Sequence, residues 1–164
     1  AKDQLCQMEA KVSELRPALG KLGFPEWGQL SDFANCHEFK GGISTKDGFV
    51  CKEQFAPKCP YTTNGCAVNA EFVNEELASI SFKYKFKGVK NDELKRVLDQ
   101  AYGKAEVQVI KPDASGLLTS WVSSWSTGRV LISMKRIKGR NAQGEGYDDL
   151  WVTFADTGFA LFNK

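Results

Sequence analysis

No stretch of 18 or more apolar residues occurs in the sequence, so it encodes no membrane-spanning helix. It holds one histidine, His37, which excludes a metal centre built on two histidines. Charge of one sign is not in excess: the formal net charge of +2 is too small to imply a polyanionic partner. The motifs that carry familiar chemistry are missing as well. There is no P-loop, no GxSxG, no HExxH and no EF-hand loop, and Gly144-x-Gly146 lacks the third glycine and following helix of a phosphate cradle. No catalytic residue, metal or cofactor is therefore assigned. The chain also lacks an initial methionine; Ala1-Lys2-Asp3 fits a mature form whose leader was removed after a small residue.

Cysteine is absent beyond Cys66, and the five present stand at 6, 36, 51, 59 and 66. Clustering of this kind beside loop-like sequence points to disulfides and an oxidising, extracytoplasmic compartment, the periplasm or the exterior. Five cysteines allow fifteen arrangements of two bridges with one thiol left over. The arrangement expected is Cys36–Cys51 and Cys59–Cys66, with Cys6 odd. Reduced cytosolic cysteines are the competing reading. Zinc is disfavoured because no pair lies two to four residues apart, as one short ligand loop would require.

Residues 67–102 change their hydrophobic period midway. Val68, Ala70 and Phe72 alternate with Asn69 and Glu71, and Ala78, Ile80, Phe82, Tyr84 and Phe86 alternate with Ser79, Ser81, Lys83 and Lys85. Successive strand side chains face opposite ways, so this is a hairpin with one buried face, turning through Asn74-Glu75-Glu76. Leu94, Val97, Leu98 and Ala101 then follow helical spacing. Asn91 or Asp92 is the expected cap and Gly103 the expected stop.

The remainder is organised around that stretch. Leu5, Met8, Val12, Leu15, Leu19 and Leu22 form a heptad-like seam over residues 1–22, read as an amphipathic helix that Pro17 interrupts. It packs on its own domain or, alternatively, serves a homodimer through residues 5–22. A short helix is expected around residues 29–34, and residues 36–66 read as a cysteine-rich irregular segment in which only 49–51 suggests a strand and 56–64 is loop. After residue 102, a meander of about four strands is expected: 106–110, 117–125, 129–137 and 147–154, with residues 138–146 as a flexible basic loop and 159–162 as a further extended piece. The fold class is thus α+β: an N-terminal helix, a hairpin plus helix, then an antiparallel meander, all in one sheet packed by helices. One domain spans 1–164.

Candidate sites are few. His37 beside Cys36 evokes a Cys–His pair, but sequence neighbours seldom have the mutual geometry that nucleophilic catalysis needs. Asp148 and Asp149 face opposite ways if they lie on a strand. Trp121 and Trp125 share one face, either as core anchors or as an aromatic patch for a partner. Arg129, Lys135, Arg136, Lys138 and Arg140 make the neighbouring hairpin basic, and Lys83, Lys85 and Lys87 form a second stripe. Basic residues with aromatics suit single-stranded nucleic acid, yet the balanced charge speaks for edge protection instead.

The pattern of apolar hairpin, helix ending Tyr102-Gly103 and tryptophan-bearing meander resembles small bacterial envelope proteins, some of them inhibitors and immunity proteins. That resemblance implies a non-enzymatic protein that binds another protein. The expected binding residues are Trp121, Trp125, Arg129, Arg136 and Arg140. The alternatives are an enzyme using a cysteine with His37 or a carboxylate pair, and a binder of small apolar ligands in a pocket lined by Phe82, Tyr84, Leu94 and Leu150.

Overall fold

The alternation in residues 67–86 and in the tail demands a sheet with one buried face, and the computed structural model shows how it is assembled. It describes residues 12–22, 33, 35–39, 48–56, 59–62, 65–73, 75–110 and 118–159. Helix α1 (Leu15–Lys21) precedes strands β1 (Cys36–Phe39), β2 (Gly48–Ala56), β3 (Cys66–Val73) and β4 (Glu76–Lys85). Helix α2 (Asn91–Tyr102) precedes β5 (Glu106–Ile110), β6 (Leu118–Thr127), β7 (Val130–Arg140) and β8 (Gly146–Asp156). All eight strands join one antiparallel sheet in the order β1-β2-β3-β4-β8-β7-β6-β5. Each half is a helix followed by a four-stranded meander, and the halves meet where β4 pairs with β8.

Both helices lie on the same face. Leu15 and Leu19 of α1, Leu94 and Leu98 of α2, and Ile80, Phe82, Tyr84, Ile132, Leu150, Val152 and Phe154 of the sheet form one buried cluster. The hairpin, helix and four-stranded tail are therefore as the periodicities predict, except that Phe86 lies in a 3₁₀ turn beyond β4 and Ala78 packs apart from the main core, with Val73 and Phe159. Phe82, Tyr84, Leu94 and Leu150, expected as walls of a ligand pocket, instead fill the core and are at most 1% exposed. Leu15, Leu19 and Leu22 are likewise spent on the chain's own core.

Several local expectations need correction. Pro17 does not break α1: it is the third helical residue, where a backbone N–H would lack an intrahelical acceptor anyway. The β3–β4 turn falls within the expected Asn74–Glu76, with Glu75 rather than an asparagine seen at positive φ (64); Asn74 lies outside the described residues. Neither Asn91 nor Asp92 caps α2; Lys90 holds that position without a side-chain cap, while Gly103 ends the helix at φ 90. The supposedly irregular residues 36–66 contain two paired strands, because β2 finds hydrogen-bonding partners on both sides. Residues 138–140 continue β7, and the loop after it is ordered by the Asn141 side chain, whose Oδ1 accepts the Gln143 and Glu145 N–H groups at 3.0 and 2.9 Å. The turn expected at Asp156–Gly158 is a 3₁₀ turn that extends to Phe159, and the rest of the extended piece expected at 159–162 lies outside the described residues. The helix expected at 29–34 and the seam before Val12 lie outside the described residues.

Two disulfides tie the first meander. Cys36 and Cys51 are directly opposite on β1 and β2, and Cys59–Cys66 fastens the segment entering β3. These are the expected pairs. They fit an oxidising, extracytoplasmic location, and no helix among the described residues is long and apolar enough to cross a membrane.

Candidate functional site

The expected binding residues fall on the helix-covered side of the sheet, and the structure does not bring all five together. Trp125 is 3% exposed. Its indole N–H points at α2 and donates to Asp99 Oδ1 at 3.1 Å and to the Gly103 carbonyl at 3.0 Å. It is a core anchor. Trp121, four residues along β6, is half-buried against Arg136, its register neighbour on β7. The Arg136 guanidinium lies 3.6 Å from the centre of the Phe86 ring and 5.0 Å from that of Trp121. Its Nε and Nη2 donate to Asp148 Oδ1 and Oδ2 at 3.0 and 2.7 Å, which holds the guanidinium even more firmly protonated. A small hollow of about 220 Å³ opens there between Phe86, Asn91, Lys95 and Trp121.

Arg129 is at the opposite end of β7, in the two-residue turn after Gly128. Its Nη2 donates to the Val12 carbonyl and to Asp156, tying the entry of α1 to the sheet. Arg140 is exposed and donates to the Gly144 carbonyl within its own hairpin. Among the five, Trp121, Arg136 and Arg140 therefore share one end of the molecule, whereas Trp125 is buried under α2 and Arg129 is tied to Val12 and Asp156 at the other end.

All four described cysteines are in disulfides, so His37 on β1 has no thiolate partner among them. Asp148 and Asp149 do face opposite ways: Asp148 meets Arg136, while Asp149 lies 3.8 and 3.5 Å from the Lys83 and Lys85 ammonium groups on the other side. Among the described residues no cluster of histidine, cysteine and carboxylate could hold a metal.

The other face of the sheet is different. Both described α-helices bury their apolar side chains in the large cluster on the first face, and apart from it only the 3₁₀ turn Thr157–Phe159 adds a small described cluster, Phe159 against Val73 and Ala78. The strand registers set Lys52, Asn69, Ser81, Thr153, Ser133, Ser124 and Glu106 side by side across β2, β3, β4, β8, β7, β6 and β5. Five of these are short and polar, a lysine stands at one end and a glutamate at the other. With strands roughly 4.8 Å apart, the short residues form a shelf on the order of 20 Å long. The Ser81 and Thr153 hydroxyls are 3.0 Å apart, so part of the row is satisfied internally.

Taller side chains flank the shelf. On one side Trp151 stands between its register neighbours Lys83 and Lys135. The Lys83 ammonium is 5.3 Å from the Trp151 ring centre, a cation–π contact. On the other side are Ala155 and Leu131, the latter 46% exposed. At the α2 end, a depression of about 560 Å³ runs from Tyr102 and Lys104 to Ser124, Ser133 and Thr153. Trp151 was not among the expected site residues. Its sequence signal is a tryptophan alternating with Leu150 and Val152, on the wet phase of a strand.

Comparison with protein-family models, with curated proteins and with solved structures returned no match.

Proposed function

We propose that this is a non-enzymatic, extracytoplasmic protein that binds another protein through the uncovered face of its sheet, in the manner of an inhibitor. The observation that carries the reading is the shelf of Asn69, Ser81, Thr153, Ser133 and Ser124 beside the cation-flanked Trp151. Short side chains let a partner's backbone approach the sheet closely. A shelf on the order of 20 Å accepts about six residues of extended chain at ~3.4 Å each. Trp151 offers a large, rigid anchor of the type that dominates interface energies, and Lys83 and Lys135 select acidic side chains next to it. Trp121, Arg136 and Arg140 lie at the opposite face, where the internal Arg136–Asp148 pairing leaves little to offer a partner. The two disulfides support the extracytoplasmic assignment, since they persist where thiols are not kept reduced.

The test is capture of a partner from the native compartment on immobilised protein, followed by affinity measurement with the purified partner. Trp151→Ala is expected to weaken binding by at least 2 kcal/mol, about thirtyfold, and Lys135→Glu by about tenfold. Trp121→Ala and Arg140→Ala should change it by less than about threefold. A partner whose affinity follows Trp121 and Arg140 while ignoring Trp151 would place the interface on the other face and end this reading.

A further inference from the structure

The two edges of the sheet are protected unequally. β1 is a four-residue edge strand carrying exposed His37 and Glu38 and tied down by the Cys36–Cys51 bridge. β5 has only β6 beside it among the described residues, and Glu106–Ile110 contains neither lysine nor proline, the usual guards of a free edge. Val107 and Val109 point to the side that carries Trp121 and are 65% and 51% exposed, among the most exposed large apolar side chains described. An edge of this composition is a pairing surface rather than a blunted one.

We infer that β5 pairs with β5 of a second copy, antiparallel and centred on Gln108, joining two sheets edge to edge. The strand is complementary to itself in that register alone. Gln108 meets Gln108 of the second copy, Val107 meets Val109, and Glu106 meets Ile110, so no like charges oppose each other and both valines gain an apolar cross-strand partner. A shift of two residues either way would set Glu106 or Ile110 against Gln108 and leave one valine of each strand without a cross-strand partner. Five paired residues make a small contact next to the roughly 1,600 Å² of a standard interface, so the dimer is weak and concentration-dependent. This dimer is independent of the partner-binding face, and it differs from one built on residues 5–22.

The test is sedimentation velocity on the full chain in a Cys6→Ser background, so that no thiol takes part, from about 5 to about 500 μM. The expected result is a monomer–dimer equilibrium with an antiparallel strand signature. Val107→Lys with Val109→Lys places lysines opposite each other and should raise the dissociation constant by about tenfold or more. Val107→Lys with Val109→Glu places opposite charges across the pair and should restore dimerisation. Gln108→Cys should oxidise to a covalent dimer, whereas Glu106→Cys should not. All four positions are exposed strand residues, and circular dichroism confirms that each variant is folded. A chain that stays monomeric throughout the range overturns the inference. So does a dimer indifferent to the paired lysines, or one that Glu106→Cys locks as readily as Gln108→Cys.

Discussion

Arg129 Nη2 lies 3.0 Å from Asp156 Oδ2, and the same carboxylate oxygen accepts the Glu14 N–H at 2.8 Å. Asp156 is 1% exposed, and its other oxygen accepts the Gly158 N–H at 2.9 Å. One buried carboxylate thereby fastens three segments: the chain entering α1, the β6–β7 turn and the turn after β8. Removing it strands several donors at once. Asp156→Ala should lower the unfolding free energy by about 3 kcal/mol in urea titration. Arg129→Ala should act on stability, with partner affinity of the folded protein unchanged. A loss of affinity at constant stability would return Arg129 to the binding surface.

The Trp125–Asp99 hydrogen bond sets a pH dependence. Asp99 is held below the usual carboxylate range first by its hydrogen bond from Lys95, then by that from the Trp125 indole, against an opposing effect of burial. A carboxyl group with a lowered folded-state pKa contributes stability above its ordinary value of about 3.9, and loses it as pH falls through the lowered value. Urea midpoints measured down to pH ~2 should therefore decline, and Asp99→Asn should flatten that acid limb while lowering stability at neutral pH. An unchanged limb would show that Asp99 does not carry it.

Tyr84 makes the opposite prediction. Its hydroxyl is buried and finds no hydrogen-bond partner among the described residues, and burial pushes its pKa well above the usual phenol value. A raised folded-state pKa gives stability that is fully present below about 10 and is lost as pH rises beyond it. Tyr84→Phe removes an unpaired polar atom, so it should be neutral or stabilising by about 1 kcal/mol and should soften the alkaline decline. A destabilisation above about 1 kcal/mol would mean that the hydroxyl is in fact bonded.

The disulfides constrain the unfolded chain over separations of 15 and 7 residues. Loop-closure entropy assigns about 3 kcal/mol to the longer loop and ~2 kcal/mol to the shorter. Cys36→Ser with Cys51→Ser should therefore cost more than Cys59→Ser with Cys66→Ser. Non-reducing peptide mapping should find both bridges and no exchange between them; a crossed pairing would contradict the β1–β2 register.

Local periodicity carried much of this architecture. The alternation of Ile80, Phe82 and Tyr84 and the stripe of Leu94 and Leu98 each name their buried face directly, because strand and helix geometry act over a few residues. The β4–β8 pairing was not legible. It joins Ser79 to Ala155, and nothing local records which strand will lie beside which. The site suffered from the same limit. Trp121 and Trp125 stand out in the sequence, but whether their face is covered depends on where α2 crosses the sheet, and Asp99 brings it over Trp125. Trp151 acquires meaning only when β4 and β7 set Lys83 and Lys135 on either side of it. The shelf of Ser81, Thr153, Ser133 and Ser124 likewise draws on four strands and leaves no continuous motif.

The claim that the uncovered face is the recognition surface is tested most directly by site-specific photocrosslinking in the native compartment. A photoreactive residue is placed in turn at Trp151, at Ser133, at Trp121 and at Gln143. The account predicts one partner species, crosslinked from positions 151 and 133 and absent from 121 and 143. Crosslinking of that species from 121 or 143, with none from 151 and 133, would contradict it.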